Sequence, residues 1–203
     1  MSAANSRVTP LTPVRLPSDS GNAADEPPVT DGLIDAAKRG DRDAWEQLYH
    51  LHAKPLYGFL MMRLSHADDA AEALSETFLR GIEKFDSFRG GPGSVRAWFF
   101  SVARNVSIDR LRARKRLWPQ SDIDDTIDLN APEPSDRIIV LQDRNALGAA
   151  LATLPPDDRE VLWLRVGQGL SSAEVARIVG KQPGAVRMQQ MRALKALGEA
   201  FGQ

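Results

Sequence analysis

Cysteine is absent from the 203 residues, which excludes disulfides and any chemistry that runs through a thiolate, whether redox exchange, nucleophilic attack or sulfur ligation of a metal. Uninterrupted apolar runs are short, and none approaches the length a membrane-spanning helix requires. No basic segment followed by an apolar one opens the chain, so the expected compartment is the cytoplasm. Gly-rich phosphate loops and nucleophile elbows are missing as well. Histidine is scarce, with His50, His52 and His66 the three present. His50 and His52, two residues apart, point to different sides of a helix, and neither cysteine nor a His-Glu-x-x-His pattern completes a metal site. No metal and no other cofactor is expected. An excess of one charge is also lacking: 26 Lys and Arg against 27 Asp and Glu leave a net charge of -1.

That near-neutral total conceals strong local imbalance. At 203 residues and 42% hydrophobic composition the chain can hold one ordinary soluble domain or two small ones. The rest is organised around residues 94–116. Val95, Trp98, Phe99, Val102, Ala103 and Val106 recur at helical spacing and predict an apolar stripe buried against other helices. From Arg104 onward the composition turns basic: Arg104, Arg110, Arg112, Arg114, Lys115 and Arg116 face one acid, Asp109. Such a segment is either a solvated helix end complementing the C-terminal dipole or a reader of phosphate backbone.

Residues 1–29 are rich in proline and serine with almost no apolar period, and read as a disordered tail. Thr30 or Asp31 is placed to cap a helix that Gly40 stops, and Asp41 to cap the next, whose stripe of Trp45, Leu48, Tyr49, His52, Leu56, Phe59 and Leu60 is interrupted by Pro55, a potential kink. Asp68 and Asp69 suit the start of a third helix, both as caps and by the dipole. Its expected buried face is Ala71, Leu74, Phe78, Leu79, Ile82 and Phe85, with Asp69, Glu72, Glu76 and Glu83 along the exposed one. The breaker-rich run 85–94 is a loop, and Ser94 can cap the central helix.

Between Leu117 and Asp136 six acids and three prolines occur without a cation, the signature of an extended acidic linker. Beyond it Ile138, Val140, Leu141, Ala146, Leu147, Ala150, Leu151 and Leu154 form a stripe ended by Pro155 and Pro156. Asp157 and Asp158 open a helix with Val161, Leu162, Leu164 and Val166 as its apolar residues. Ser171 and Glu174 have capping-box spacing, Gly180 makes a turn, and Pro183 suits the first position of a last helix. Two short helices across a Gly-containing turn make a helix-turn-helix whose second helix would enter the DNA major groove. In that helix Val186, Ala193, Leu194 and Leu197 are expected inside, leaving Arg187, Met188, Gln189, Met191, Arg192 and Lys195 available. A helical hairpin with a polar face is the plainer alternative, but four cations (Lys181, Arg187, Arg192, Lys195) against Glu199 favour DNA.

Residue order sharpens these readings. Trp98 to Asn105 (Trp-Phe-Phe-Ser-Val-Ala-Arg-Asn), followed by Ile108-Asp109-Arg110-Leu111-Arg112, resembles the promoter-melting helix of bacterial RNA polymerase sigma factors of the extracytoplasmic-function (ECF) type. The run Asp69-Ala-Ala-Glu-Ala-Leu-Ser-Glu-Thr-Phe-Leu79 is similar to the segment with which that family grips the coiled coil of the largest polymerase subunit, with Ser75 where most members have Gln. Leu154-Pro-Pro-Asp-Asp-Arg-Glu-Val-Leu162, Gly169-Leu-Ser-Ser-Ala-Glu-Val-Ala176 and Gly184-Ala-Val-Arg187 resemble the family's domain for the distal promoter element.

The resemblance implies an all-α chain of two small helical domains, 30–116 and 137–203, joined by the flexible acidic linker 117–136, the second domain carrying the helix-turn-helix. It implies that Asp69, Glu72, Ser75, Glu76 and Leu79 bind core RNA polymerase. Arg89, Trp98, Arg104, Asn105, Asp109 and Arg112 would contact the promoter -10 element, with loop 85–94 receiving an extruded base. Lys181, Arg187, Met188, Gln189, Met191 and Arg192 would contact the -35 element. The linker would thread the polymerase cleft, and the partners would be polymerase core, promoter DNA and an inhibitory anti-sigma factor. So read, the chain is an alternative sigma factor without enzymatic activity. Two other readings remain at this level: a helix-turn-helix regulator that binds its operator unaided, and a helical enzyme built on carboxylate pairs such as Asp68 and Asp69, which a helix start explains more simply.

Overall fold

The computed structural model describes residues 29–117, 148 and 150–201. The tail to residue 28, the acidic stretch 118–136 and the apolar positions Ile138, Val140, Leu141, Ala146 and Leu147 lie outside them. The fold is all-α, and among the described residues every regular element is helical.

Local chemistry sets the first boundaries. Thr30 caps α1 (Asp31–Lys38) by accepting a hydrogen bond from the Leu33 N–H at 3.2 Å. Gly40 follows with φ +77°, the left-handed turn that lets Asp41 cap α2 (Arg42–Leu64) through the Ala44 N–H at 3.0 Å. Helix α2 runs through Pro55 and ends at Ser65, the one described non-glycine residue with positive φ (65°). Helix α3 (Ala67–Lys84) starts differently from expectation: His66 occupies the cap position without a side-chain bond, and Asp68 and Asp69 sit in the first turn, where they act through the dipole alone. Two 3-10 turns, Phe85–Ser87 and Pro92–Ser94, lead into α4 (Val95–Leu117), so helical backbone begins before the cap position assigned to Ser94.

Aromatic rings fill the space between α1, α2, α3 and α4. Phe99 is fully buried and meets Trp45, His52, Phe78, Phe85 and Trp98, while Phe100 packs edge-to-face on Phe59 of α2. The face of α3 is rotated from the sequence expectation. Ala70, Ala73, Leu74, Thr77, Phe78 and Gly81 are its buried residues, whereas Ala71 is exposed and Leu79 and Ile82 are 48% and 50% exposed. Thr77 is tolerated inside because its hydroxyl donates to the Ala73 carbonyl at 2.7 Å.

Residues 150–152 are helical, and Pro155 follows. The buried Arg159 then donates to the carbonyls of Leu151, Ala152 and Leu154, each at 3.0 Å, supplying partners for the end of that helix. Arg159 belongs to α5 (Pro156–Leu162), which continues as a π-helical turn, Trp163–Gly167. Val166, expected inside, is 60% exposed on that turn. Ser171 and Glu174 form the expected capping box at the start of α6 (Ser172–Val179): the Glu174 N–H donates to Ser171 Oγ at 3.2 Å and the Ser171 N–H to Glu174 at 2.8 Å. Hydrogen bonds from Ser171 hold the Glu174 carboxyl below its usual pKa against the opposing effect of burial. Gly180 turns the chain with φ +73°, and α7 (Pro183–Phe201) begins on Pro183.

The C-terminal helices do not stand apart from the first four. Val161, Leu164, Leu170, Val175, Ile178 and Val186 belong to the same apolar cluster as the cores of α2, α3 and α4. A smaller cluster of Leu154, Leu162 and Ala193, with Leu151 and Leu197 against it, closes the far side. Helix α4 is thus enclosed by α2, α3 and α6, which explains why Ala97 and Ser107 are buried although they lie off its apolar stripe.

Candidate functional site

Three sets of side chains stand where the sequence places function. The first is the outer face of α3. Leu79 and Ile82 project from it, Glu72 is exposed, and Asp69, Ser75 and Glu76 are half-buried. Ser75 donates to the Ala71 carbonyl at 3.1 Å. The acids are engaged by α4: Arg110 pairs with Glu72 and Glu76 at 3.0 Å, and Arg80 with Glu76 at 2.6 Å and with Asp109 at 2.8 Å. Hydrogen bonds to Asp109 raise the Arg80 pKa above its ordinary value. The acids Glu72 and Glu76 on the exposed face are therefore one side of an ion-pair lattice, to which the exposed Asp109 is tied through Arg80.

The second set lies on α4 and the loop before it. Arg89 bonds the carbonyls of Asp86 and Phe88, which fixes the loop's own backbone. Trp98 is half-buried, edge-on to Phe85, Phe88 and Phe99. Asn105 and Arg112 are exposed. Arg104 is not: its Nε lies 2.8 Å from Oε1 of Glu160, which reaches over from α5. The second carboxylate oxygen of Glu160 meets Arg63 of α2 at 2.9 Å, and Glu160 itself is 2% exposed. Buried Ser107 completes the knot, accepting from Arg63 Nε and donating to the Arg104 carbonyl, both at 2.7 Å. Burial lowers the Arg63 pKa from its ordinary value, a shift that Glu160 opposes.

Beside Trp98 is a cavity of about 270 Å³, walled on one side by Phe88, Arg89, Ala97 and Trp98, on the other by Glu174, Arg177 and Ile178 of α6.

The third set is α7. Arg187, Met188, Met191 and Arg192 are exposed at i, i+1, i+4 and i+5 and share one face. Gln189 is a correction: at 4% exposed it is buried, donating to Asp158 at 2.8 Å and accepting from Lys181 at 2.9 Å. Lys181 is bound further to Asp157 at 3.0 Å. Leu194, expected inside, is 46% exposed, and Gln190 accepts a hydrogen bond from Arg165 at 3.0 Å. The reason is that α7 packs on α5, whose first-turn acids draw Gln189 and Lys181 inward.

Residues 48–117 match the family model of sigma-70 region 2, and residues 144–197 that of sigma-70 region 4. Over 81% of its length the chain is 30% identical to the RNA polymerase sigma factor CarQ of Myxococcus xanthus, covering 92% of that protein. The chain belongs to the ECF-type sigma factors of RNA polymerase. This sigma factor is also 32% identical over 81% of its length to the ECF sigma factor BldN of Streptomyces coelicolor, of which it spans 63%. Among solved structures it resembles the Bartonella quintana sigma factor RpoE, determined with the anti-sigma factor NepR, at a TM-score of 0.64 and 26% identity over 77% of this chain and 96% of that one. The fold is shared with CnrH, solved with the cytosolic domain of CnrY, at a TM-score of 0.60 and 23% identity over 84% of this chain and 95% of that one.

Glu160, Arg63, Ser107 and Arg159 were given no role by sequence pattern, and Arg110 entered only as one cation of the basic run. The usable signal for Glu160 was its position in the first helix after Pro155, next to the apolar pair Val161 and Leu162.

Proposed function

We propose how this sigma factor divides its work. As a member of its family it directs RNA polymerase to promoters and supports DNA opening. The outer face of α3, with Leu79 and Ile82 ringed by Asp69, Glu72, Ser75 and Glu76, binds the coiled coil of the largest polymerase subunit; exposed apolar side chains rimmed by acids suit a protein partner with a basic rim. The loop 85–94 and α4 contact the -10 element through Arg89, Trp98, Arg104, Asn105 and Arg112, with Asp109 ordering the helix through Arg80. Helix α7 reads the -35 element with Arg187, Met188, Met191 and Arg192, while Lys181 and Gln189 brace it against α5. The domains run from 30 to 116 and from 137 to 203, and the acidic linker between them follows a path that basic polymerase walls would hold.

No reaction is assigned to the chain itself. Nucleotidyl transfer belongs to the polymerase, and strand opening comes from trapping unstacked bases. Partnership with polymerase and DNA supports a cytoplasmic location. The likeness to RpoE solved with NepR supports an anti-sigma partner for this chain too.

The observation that carries this reading is the occurrence, in one chain and in order, of the region 2 and region 4 matches over an α4 with a basic end and an α7 with two exposed arginines. Run-off transcription with purified core polymerase on genomic templates, with start-site mapping, tests it. Addition of the chain yields discrete new starts. Arg187→Ala and Arg192→Ala each reduce initiation at those promoters by roughly 5- to 150-fold, corresponding to about 1–3 kcal/mol of base discrimination. With a net charge of -1, the free chain binds duplex promoter weakly. Tight specific binding without polymerase, and no stimulation of core, would establish the stand-alone regulator instead.

A further inference from the structure

Without cysteine, the most readily oxidised atoms of the chain are the sulfurs of its five methionines. Met1 lies outside the described residues. Met61 and Met62 of α2 are half-buried and packed against the large apolar cluster, where their neighbours limit approach to sulfur. Met188 and Met191 differ from them. They are 60% and 65% exposed and stand at i and i+3 on one face of α7, with Arg187 and Arg192 beside them.

The fold needs neither of these thioethers. Val186, Gln189 and Ala193 are the buried residues of α7, so its packed side is complete without a methionine. Leucine at 188 and 191 would serve the helix equally well. What a thioether adds at an open position is its chemistry: oxidation to the sulfoxide turns a flexible apolar side chain into a polar, chiral one, and methionine sulfoxide reductases reverse it. On a DNA-reading face that change inverts the contact. The reduced side chain packs against apolar groups such as the thymine methyl, whereas a sulfoxide oxygen is an acceptor pointed at a surface already rich in acceptors, purine N7 and O6 and the phosphates.

We propose that Met188 and Met191 form a reversible oxidation site for hypohalous acids, and that their conversion to sulfoxides withdraws the chain from its promoters. In each step the sulfur gives up an electron pair, an S–O bond forms and the O–Cl bond of hypochlorous acid breaks. Chloride and a proton leave, so the sulfur is oxidised by two electrons and the chlorine reduced by two. Hypohalous acids oxidise an exposed thioether directly, with no activating group required. The effect on promoters rests on the assignment of α7 to the -35 element, whereas the selectivity of oxidation rests on exposure alone. Because the packed side of α7 is untouched, the oxidised chain stays folded.

The test uses the full chain and a few equivalents of hypochlorous acid. Peptide mass mapping shows one added oxygen on Met188 and on Met191 before Met61 and Met62 are modified, and circular dichroism shows the helices retained. Run-off transcription with core polymerase is read as the ratio of treated to untreated activity, which falls about tenfold, within the range for losing a base contact. Reductases for both sulfoxide epimers restore it. In the double variant Met188→Leu, Met191→Leu the ratio stays near one, whatever the variant's own untreated level. Recovery with the reductases gives the same answer in the unsubstituted chain, since they repair no other oxidised side chain.

Prior oxidation of Met61 and Met62 overturns the site, and so does an oxidised chain that initiates as before. An equal loss in the double variant, or a loss that the reductases do not reverse, places the damage elsewhere and overturns it too. Failure of the untreated chain to stimulate core would instead strike the sigma-factor reading, since the order of oxidation in the mass map does not depend on it.

Discussion

Helix α4 carries two acid-arginine clusters that resemble one another in sequence and differ in physics. At its basic end Arg110, Glu72, Glu76, Arg80 and Asp109 form a lattice whose members are 27% to 70% exposed. One and a half turns earlier Arg104 joins Arg63 on Glu160, which is 2% exposed. Water and salt screen the first, so its pairs are individually weak and can be exchanged for those of a partner. The second is desolvated, so it is worth little as a complete unit relative to an apolar packing, but costs much to break by halves. A surface that must hand its charges to polymerase or DNA is better built like the first. A contact that must hold two parts in one arrangement is better built like the second.

Glu160→Ala puts this contrast to its hardest test. With both arginines left unpaired, it removes roughly 3–5 kcal/mol from the docking of α5 onto α2 and α4, read as lost hydrogen-exchange protection in α5 and the turn Trp163–Gly167. Raising the salt does not reproduce that loss.

Burial also shows through pH. His52 is buried with Nε2 unpartnered, and burial, assisted by the Arg96 charge, lowers its pKa from 6.5 to about 4. The unfolded chain therefore takes up a proton first as pH falls, and stability declines from about pH 6.5 downward, by roughly 1–2 kcal/mol at pH 5.5. Urea midpoints at pH 7.5 and 5.5 measure this. In His52→Leu the decline over that interval is flattened.

The capping box is an exposed but geometrically fixed case. Ser171→Ala removes about 1 kcal/mol from α6, measured as a shift in the urea midpoint. The smallest effect belongs to the exposed lattice. Arg110→Ala changes stability by less than about 1 kcal/mol at low salt and by nothing measurable in molar salt. A loss as large as that of Glu160→Ala would erase the distinction between the two clusters.

Much of the molecule could be read from its residues because the signals were local. Thr30, Asp41, Ser171 and Glu174 cap helices through their own neighbours, Gly40 and Gly180 turn the chain where left-handed backbone is needed, and the stripe of Leu48, His52, Leu56, Phe59 and Leu60 on α2 is buried as its period requires. The face of α3 differs from the expectation because Leu79 and Ile82 satisfy a helical period that the core does not use; the period alone does not record which apolar side chains stay exposed. For the candidate site, residue order pointed to the family and to three candidate binding regions, and Arg187, Met188, Met191 and Arg192 do share an open face. It could not show that Gln189 turns inward to Asp158, nor that Asp109 and Glu76 are tied to arginines from another helix.

What the sequence determined by itself was the helices, their caps, the charge of each segment and the family to which they belong, because these depend on spacing within a few residues. Only the tertiary structure decided that Glu160 closes on Arg63 and Arg104 and that Trp163 rests on Gly58. Those partners lie roughly a hundred positions apart or half that, and the energy of a buried charge is set by how completely its surroundings exclude water, which no local pattern records.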